Sequence, residues 1–436
     1  MSEGKIVVGI DIGTSKIVTV IAKVDDSVNV LGVSEVKAQG IKKGQIVDIE
    51  EAVLSINSSL ESAERMAGYS VSHVITSIGG DHVESQNSKG VVAVSNPDGE
   101  IIKNDLTRVI DAAKAISLPS SREIIHVLPR TYAVDGQQGI KDPIGMTGVR
   151  LEVDTHLVTA SSTSIRNIEK AMSEVGVDID GIVFNGYASS LSALSETEKE
   201  LGVVLVDMGA GTTDICIYTE GSLSYSSVLS IGARHITNDL AIGLRISLES
   251  AEKIKLYLSK TPEKTKLEPN DFEKEEVKPL QRNFMGKNDE LDLSALNLPE
   301  DLGSVSKKTL IDGIIRPRLN EIFTMVGLEI KKSGFAASTP AGLVVTGGGA
   351  RTIGINDATK RMLAMPIRIG YPQELKGIID EVQDSPFSTV IGLAIYGSKV
   401  ETSTGLPFGF SFPQAPFLKF GKFSNKIIDL IKSFIP

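Results

Sequence analysis

Residues 7 to 16 read VVGIDIGTSK, and residues 203 to 217 read VVLVDMGAGTTDICI. Each is an apolar, β-branched run that ends in an aspartate, Asp11 or Asp207, and passes into a glycine turn carrying hydroxyls. After each turn an apolar run resumes, as IVTVIA at 17 to 22 and as ICIY at 215 to 218. Strand, Asp, Gly turn, strand is the pattern of a β-hairpin. Its recurrence about two hundred residues later points to a duplicated domain. Glycine lets a backbone approach a ligand closely, and successive turn N–H groups form an anion-binding concavity to which Ser and Thr hydroxyls add donors. A carboxylate repels phosphate but can hold a hydrated Mg²⁺ that bridges to it. The expectation is that Asp11 and Asp207 face each other across a cleft and share one metal–phosphate group. For either stretch alone, a plain hairpin with a solvated Asp is the simpler reading; the repeat favours phosphate.

A third stretch, LVVTGGGART at 343 to 352, is an apolar strand followed by Gly347, Gly348 and Gly349, with a predicted helix in INDATKRMLAM. A Gly-rich strand-to-helix turn suits a nucleoside or phosphate near a helix N-terminus. The chain lacks the Walker and dinucleotide-binding glycine patterns.

The bulk numbers narrow the field. A chain of 436 residues exceeds one hydrophobic core and predicts two to four domains. A formal charge of -10 disfavours general nucleic-acid binding. The single cysteine, Cys216, sits in a strand-like run and reads as a small buried hydrophobe. With no second cysteine to pair within the chain, a reducing compartment is expected. His73, His82, His126, His156 and His235 are scattered without metal-ligand spacing and read as structural. The start, MSEGKIVVGI, does not read as a signal peptide, and no run of 18 apolar residues predicts a membrane span.

The three stretches, in this order, resemble the phosphate 1, phosphate 2 and adenosine motifs of the superfamily of actin, heat-shock chaperones and sugar kinases. DGIVFNGYASSLSAL (180 to 194) and FSTVIGLAIYG (387 to 397) resemble its two connect segments, and GARHITNDLA followed by SAEKIK resembles its adenosine-reaching portion. HVLPRTYAVDGQQGIKDPIGMTGVRLEVDTHLVT (126 to 159) and GIKKGQIVDIE (40 to 50) are similar to segments of the FtsA family of bacterial cell-division proteins, the first to the subdomain called 1C.

That resemblance implies an α/β, actin-like two-lobed ATPase fold with an inserted 1C subdomain and a C-terminal amphipathic helix. It implies subdomain 1A at 1–84, 163–198 and 386–399, 1C at 85–162, 2A at 199–242 and 319–385, and 2B at 243–318. It implies ATP and Mg as cofactors. Nucleotide contacts would come from Gly13, Thr14, Ser15 and Lys16, then Gly209, Ala210, Gly211, Thr212, Thr213 and Gly232. Glu252 and Lys255, on one helix face, would meet ribose or adenine, and Gly347, Gly348, Gly349, Ala350 and Arg351 would complete the site. Asp11 and Asp207 would hold the metal through water. Asn185 aligns where active members often carry Gln or Glu; an amide orients water weakly and cannot accept its proton. Firm ATP binding with slow or negligible turnover is therefore expected.

The end of the chain reads FLKFGKFSNKIIDLIKSFIP. Phe420, Phe423, Ile427, Leu430, Ile431 and Phe434 recur at spacings of three and four, with Lys419, Lys422, Lys426 and Lys432 mostly elsewhere on the wheel. The Pro-, Gly- and Ser-rich stretch at 400–416 reads as a linker. An amphipathic helix at 417–436 that lies in the plane of a membrane is preferred over one docked on the core. The charged stretch 259–290 reads as a solvated loop. By the resemblance, the partners would be FtsZ through 2B, further copies in filaments, other division proteins through 1C and cytoplasmic membrane lipids. The protein would sit on the inner face of the cell membrane at the division site. The alternative is a soluble superfamily ATPase or small-molecule kinase, but a sugar kinase would need a catalytic Asp near its substrate and no amphipathic tail.

Overall fold

Three strands open the chain as an antiparallel meander: β1 (Lys5–Ile12), β2 (Lys16–Val24) and β3 (Val28–Lys37). The central residues of β1 and β2 are mostly Val and Ile buried on both faces, so these two strands read as near-continuous apolar runs. The computed structural model describes residues 4–96, 98–260, 289–291, 293–300, 302, 305–378 and 382–399. The small hairpin β4 (Ile41–Lys42) and β5 (Gln45–Ile46) follows, then helix α1 (Ile49–Ala67). Asp48 caps α1 by accepting from the Glu51 N–H, and Gly68 in the left-handed region ends it. The crossover returns the chain as β6 (His73–Ile78), parallel to β1.

The inserted sheet comes next. It holds β7 (Glu84–Ala93), β8 (Arg122–Val134), β9 (Gln137–Ile140) and β10 (Arg150–Ser161) in the order β7-β10-β8-β9, with helix α2 (Lys103–Lys114) packed on it. Helix α3 (Ser162–Val175) and strand β11 (Asp178–Phe184) then complete the first lobe, β11 lying parallel to β6.

The second lobe repeats the plan. After α4 (Asn185–Ala193) and α5 (Glu196–Leu201), strands β12 (Val203–Met208), β13 (Thr213–Thr219) and β14 (Ser222–Leu229) form an antiparallel meander. Helices α6 (Arg234–Leu244) and α7 (Leu248–Lys260), the short pair β15 (Glu290–Leu291) and β16 (Val305–Ser306), α8 (Lys307–Leu310) and α9 (Arg316–Ser333) follow. Strand β17 (Leu343–Thr346) lies parallel to β12, and beyond α10 (Ile355–Leu363) β18 (Ile367–Ile369) lies parallel to β17. The first sheet thus contains the order β3-β2-β1-β6-β11 and the second has β14-β13-β12-β17-β18. These are one topology used twice, as the repeated hairpin predicts.

One boundary differs from expectation. Strand β19 (Leu375–Gly377), inside the segment assigned to 2A through residue 385, pairs with β3 of the first lobe. Val382 is also buried in the first-lobe core. The chain returns before 386 because the edge of β3 offers unpaired backbone groups that β19 satisfies.

The last described helix, α11 (Ser388–Lys399), crosses α4 closely. A Cβ on Gly392 would fall on the Ala188 carbonyl, so only glycine permits this crossing. Ser192 Oγ donates to the Ser388 carbonyl at 2.6 Å, tying the two helices together. Chain contacts divide the protein into units 1–398 and 399–436. The linker and amphipathic helix expected at 400–436, and most of the charged stretch 259–290, lie outside the described residues.

Side chains join the inserted sheet to β14, the outer strand of the second lobe. Asn87 Nδ2 donates to the Ser224 carbonyl (3.1 Å), so its Oδ1 accepts from His156 Nδ1 (2.7 Å). That leaves His156 Nε2 to accept from Ser226 Oγ (2.9 Å). Ser85 Oγ donates to the Ser226 carbonyl (2.6 Å), and Arg130 Nε to Ser224 Oγ (3.1 Å). His156 is buried and neutral, its pKa drawn down to about 3 chiefly by loss of water. His126, in β8, accepts the Phe184 N–H at 3.0 Å and meets Tyr187 and Tyr396 edge-on. Both histidines are structural, as the sequence reading has them.

Candidate functional site

Asp11, next to last in β1, is 9% exposed. Ser77 of β6 donates to it at 2.8 Å and accepts the Ile12 N–H at 2.8 Å. Burial pushes the Asp11 carboxyl up, with Ser77 and Lys16 pulling the other way. The turn closes through Gly13 N–H to the Lys16 carbonyl (3.1 Å). Lys16 itself is committed: its Nζ lies 2.6 Å from Glu35 and over the Phe387 ring.

Asp207 occupies the equivalent place at the end of β12 and is 5% exposed. Thr389 at the start of α11 donates to it at 3.0 Å, while Ser189 of α4 donates to the Asn185 carbonyl at 3.0 Å. Burial, then the charge of Asp11, raises its pKa to about 6. The turn beyond it is braced from behind. Gly209 N–H donates to the Thr212 carbonyl, while the Gly209 and Ala210 carbonyls accept from Ala233 and Arg234, all at 2.9 Å. Thr213 Oγ1 donates to the Ile231 carbonyl (2.7 Å). A Cβ on Gly232 would stand 2.7 Å from those same two carbonyls, so glycine is needed there.

The two turns meet. A Cβ on Gly211 would stand 2.8 Å from Thr14 Oγ1, and Thr14 Oγ1 accepts the Gly44 N–H at 2.9 Å. The third turn closes on the second: a Cβ on Gly347, whose φ is +83°, would strike the Asp207 carboxylate, and one on Gly349 would strike Met208. Gly348 faces open space, Ala350 is buried, and Arg351 pairs with Asp384. Asn185 opens α4, its Oδ1 buried without a partner among the described residues. Glu252 and Lys255 bond to each other at 2.7 Å, and both bond to Thr237 of α6.

The structure therefore brings Asp11, Thr14, Asp207, Gly211 and Gly347 to one place, with Asn185 at the start of α4, the helix that packs against β12. It adds a group that the sequence reading missed. Asp214 lies opposite Asp207 across the β12–β13 pair and is buried. Its Oδ1 has no partner among the described residues, and burial plus the charges of Asp207 and Asp11 raise its pKa well above normal. The signal was present: counting outward from the hairpin turn places 207 against 214. Among the described residues no three His, Cys, Asp or Glu side chains form a ready metal cage. Buried carboxyls with raised pKa values and one orphaned oxygen fit a hydrated divalent cation, held through water rather than directly.

Comparison with known proteins bears on what this arrangement belongs to. Residues 80–159 match the model described as "SHS2 domain inserted in FTSA", and residues 204–392 match "Cell division protein FtsA". The chain is 36% identical over 429 residues to the cell division protein FtsA of Pseudomonas aeruginosa, covering 96% of this chain and 97% of that one. The chain belongs to the FtsA family. The FtsA of Bacillus subtilis is 34% identical, with 95% of this chain and 88% of that one covered. Among solved structures, the PilM-PilN type IV pilus biogenesis complex matches with a TM-score of 0.63 at 15% identity, covering 90% of this chain and 98% of that chain. MreB 5 of Spiroplasma citri bound to AMPPNP matches with a TM-score of 0.50 at 14% identity, covering 90% and 96%. The fold is the actin-like two-lobed ATPase fold, and the inserted sheet β7-β10-β8-β9 falls almost wholly within the SHS2 match that marks FtsA. No helix among the described residues is long and apolar enough to cross a membrane.

Proposed function

We propose that this FtsA-family protein is an ATP-binding, filament-forming adaptor of cell division that tethers FtsZ polymers to the cytoplasmic membrane and recruits later division proteins through its inserted sheet. The observation that carries the nucleotide reading is the meeting of the two duplicated turns, Gly13–Ser15 and Gly209–Thr213, over three buried carboxyls of which one oxygen is orphaned. Turn N–H groups and the hydroxyls of Thr14, Ser15 and Thr212 would bind phosphate oxygens, and Gly347–Gly349 would let the nucleoside approach β17. Asp11 and Asp207 would hold Mg²⁺ through its water shell, where the ion offsets phosphate charge. Asn185 offers an amide where turnover calls for a proton acceptor, so binding sets the arrangement of the lobes and hydrolysis is slow.

Membrane attachment rests on the sequence of 417–436. Each apolar side chain buried in the interface contributes roughly 1.5–3 kcal/mol, and each Lys near anionic lipid about 1 kcal/mol. Ordering the helix offsets part of this, so a single tail binds reversibly. Many tails on one polymer bind far more tightly through effective concentration. Assembly driven by nucleotide would then control attachment. The test is pelleting with anionic liposomes, with and without Mg-ATP. Full-length protein should pellet, more so with ATP, and a chain ending at Lys399 should stay in solution. Equal pelleting of both chains sinks the anchor.

A further inference from the structure

A mononucleotide triphosphate carries more negative charge than one hydrated Mg²⁺ offsets, and the site described so far supplies carboxylates rather than cations. Lys16, the lysine of the first turn, is neutralised by Glu35. Lys255 is buried and bonded to Glu252, Thr237 and the Ala233 carbonyl. Arg351 is paired with Asp384.

A different lysine lies at the junction. The β4–β5 hairpin pairs Lys42 with Gln45, leaving Lys43 and Gly44 as a two-residue loop. Both have positive φ, +49° and +75°, the requirement of a type I′ turn. Contacts at the tip leave it little room to shift. Gly44 donates its N–H to Thr14, and a Cβ there would stand 2.8 Å from Gly80 N. The Lys43 Cα would stand 3.1 Å from a Cβ on Gly211. The Lys43–Gly44 tip is thus held in contact with both phosphate turns, Gly44 with the first and Lys43 with the second, at the point where the lobes meet. Its side chain is exposed, and among the described residues it makes no ion pair or hydrogen bond. An extended lysine reaches about 6 Å from its Cα, far enough for its ammonium to meet an anion seated on the Gly209–Thr213 turn.

Position along that turn selects which anion. Gly347 closes on Asp207, at the start of the turn, and Gly232 on Gly209 and Ala210. Lys43 and Thr14 sit at Gly211, the far end from Gly347. With the nucleoside at Gly347, the outermost phosphate falls at Gly211. We propose that Lys43 is a phosphate-binding residue that the β4–β5 hairpin supplies to the terminal phosphate of a nucleoside triphosphate, distinguishing triphosphate from diphosphate.

This rests on the nucleotide reading above, and calorimetry of the full chain separates the two. Mg-ATP and Mg-ADP are titrated into the wild type, Lys43→Asn and Lys43→Arg. Asn tolerates positive φ, so it removes the charge while keeping the turn. Lys43→Asn should weaken Mg-ATP at least about tenfold and Mg-ADP less than about twofold, the scale of one charge-assisted hydrogen bond. Lys43→Arg should recover most of the ATP affinity. Unchanged ATP affinity in a folded Lys43→Asn, or equal losses for ATP and ADP, overturns the assignment while leaving nucleotide binding intact. A wild type that takes up neither nucleotide overturns both.

Discussion

Two buried polar regions of this protein are built in opposite ways. In the seam between the inserted sheet and β14, His156 has both ring nitrogens engaged, and Asn87, Arg130, Ser85 and Ser226 are each paired. In the cleft, Asp214 and Asn185 each keep a buried oxygen without a partner among the described residues, and Asp11, Asp207 and Asp214 are all pushed toward protonation. A satisfied buried network stabilises and specifies packing. An unsatisfied one is costly, and in a native protein it marks a place that something else completes. The seam is therefore read as structure and the cleft as function, though both hold polar residues at similar burial.

The largest test of that contrast is at Asp207. Asp207→Ala should lower Mg-ATP affinity about a thousandfold, roughly 4 kcal/mol, and leave urea stability equal to or above wild type, because it removes a charge that burial disfavours. Calorimetry and urea melts read the two effects separately. A strong loss of stability with intact binding would reverse the assignment of the cleft.

The two regions should also respond to acid with opposite sign. Asp207 has a folded pKa raised to about 6, so the unfolded chain releases that proton first and stability from this group falls as pH rises from about 4 to 6. Its full effect over that window is about 3 kcal/mol. His156 has a folded pKa lowered to about 3, so its contribution is present above the unfolded value near 6.5 and is lost as pH falls. In ligand-free protein, Asp207→Asn should steepen the loss of stability between pH 6 and 4, and His156→Gln should flatten it. Urea midpoints measured across that range check both slopes.

The smallest effect isolates the seam. His156→Ala leaves Asn87 and Ser226 short of a partner and should cost about 2 kcal/mol. Mg-ATP affinity should stay within about threefold. A larger change in affinity would show that the seam and the cleft are coupled rather than merely different.

How much of this could be read beforehand follows from range along the chain. The two hairpins, the Gly347–Gly349 turn and the helix after it are local patterns, and the structure has them where periodicity and turn chemistry place them. Asp11, Asp207, Gly211 and Gly347 were legible because each sits at a turn that glycine and hydroxyl spacing marks. Asp214 was within reach through hairpin register. Lys43 was not, because nothing local tells a hairpin tip that its neighbour is a turn in the other lobe. Nor could β19 be seen crossing to β3, since three residues carry no period and their partner lies more than three hundred positions away in the chain.

By itself the sequence determined the repeated strand–Asp–glycine unit, the acidic charge of the chain and the basic, apolar pattern of its end, because these depend on neighbours a few residues apart. Only the tertiary structure decided which charges are spent and which remain. It set Glu35 against Lys16, left the Lys43 ammonium without a partner among the described residues, and placed Thr389 of α11 where it donates to Asp207. Those outcomes follow from sheet order and burial, which juxtapose residues that no local pattern connects.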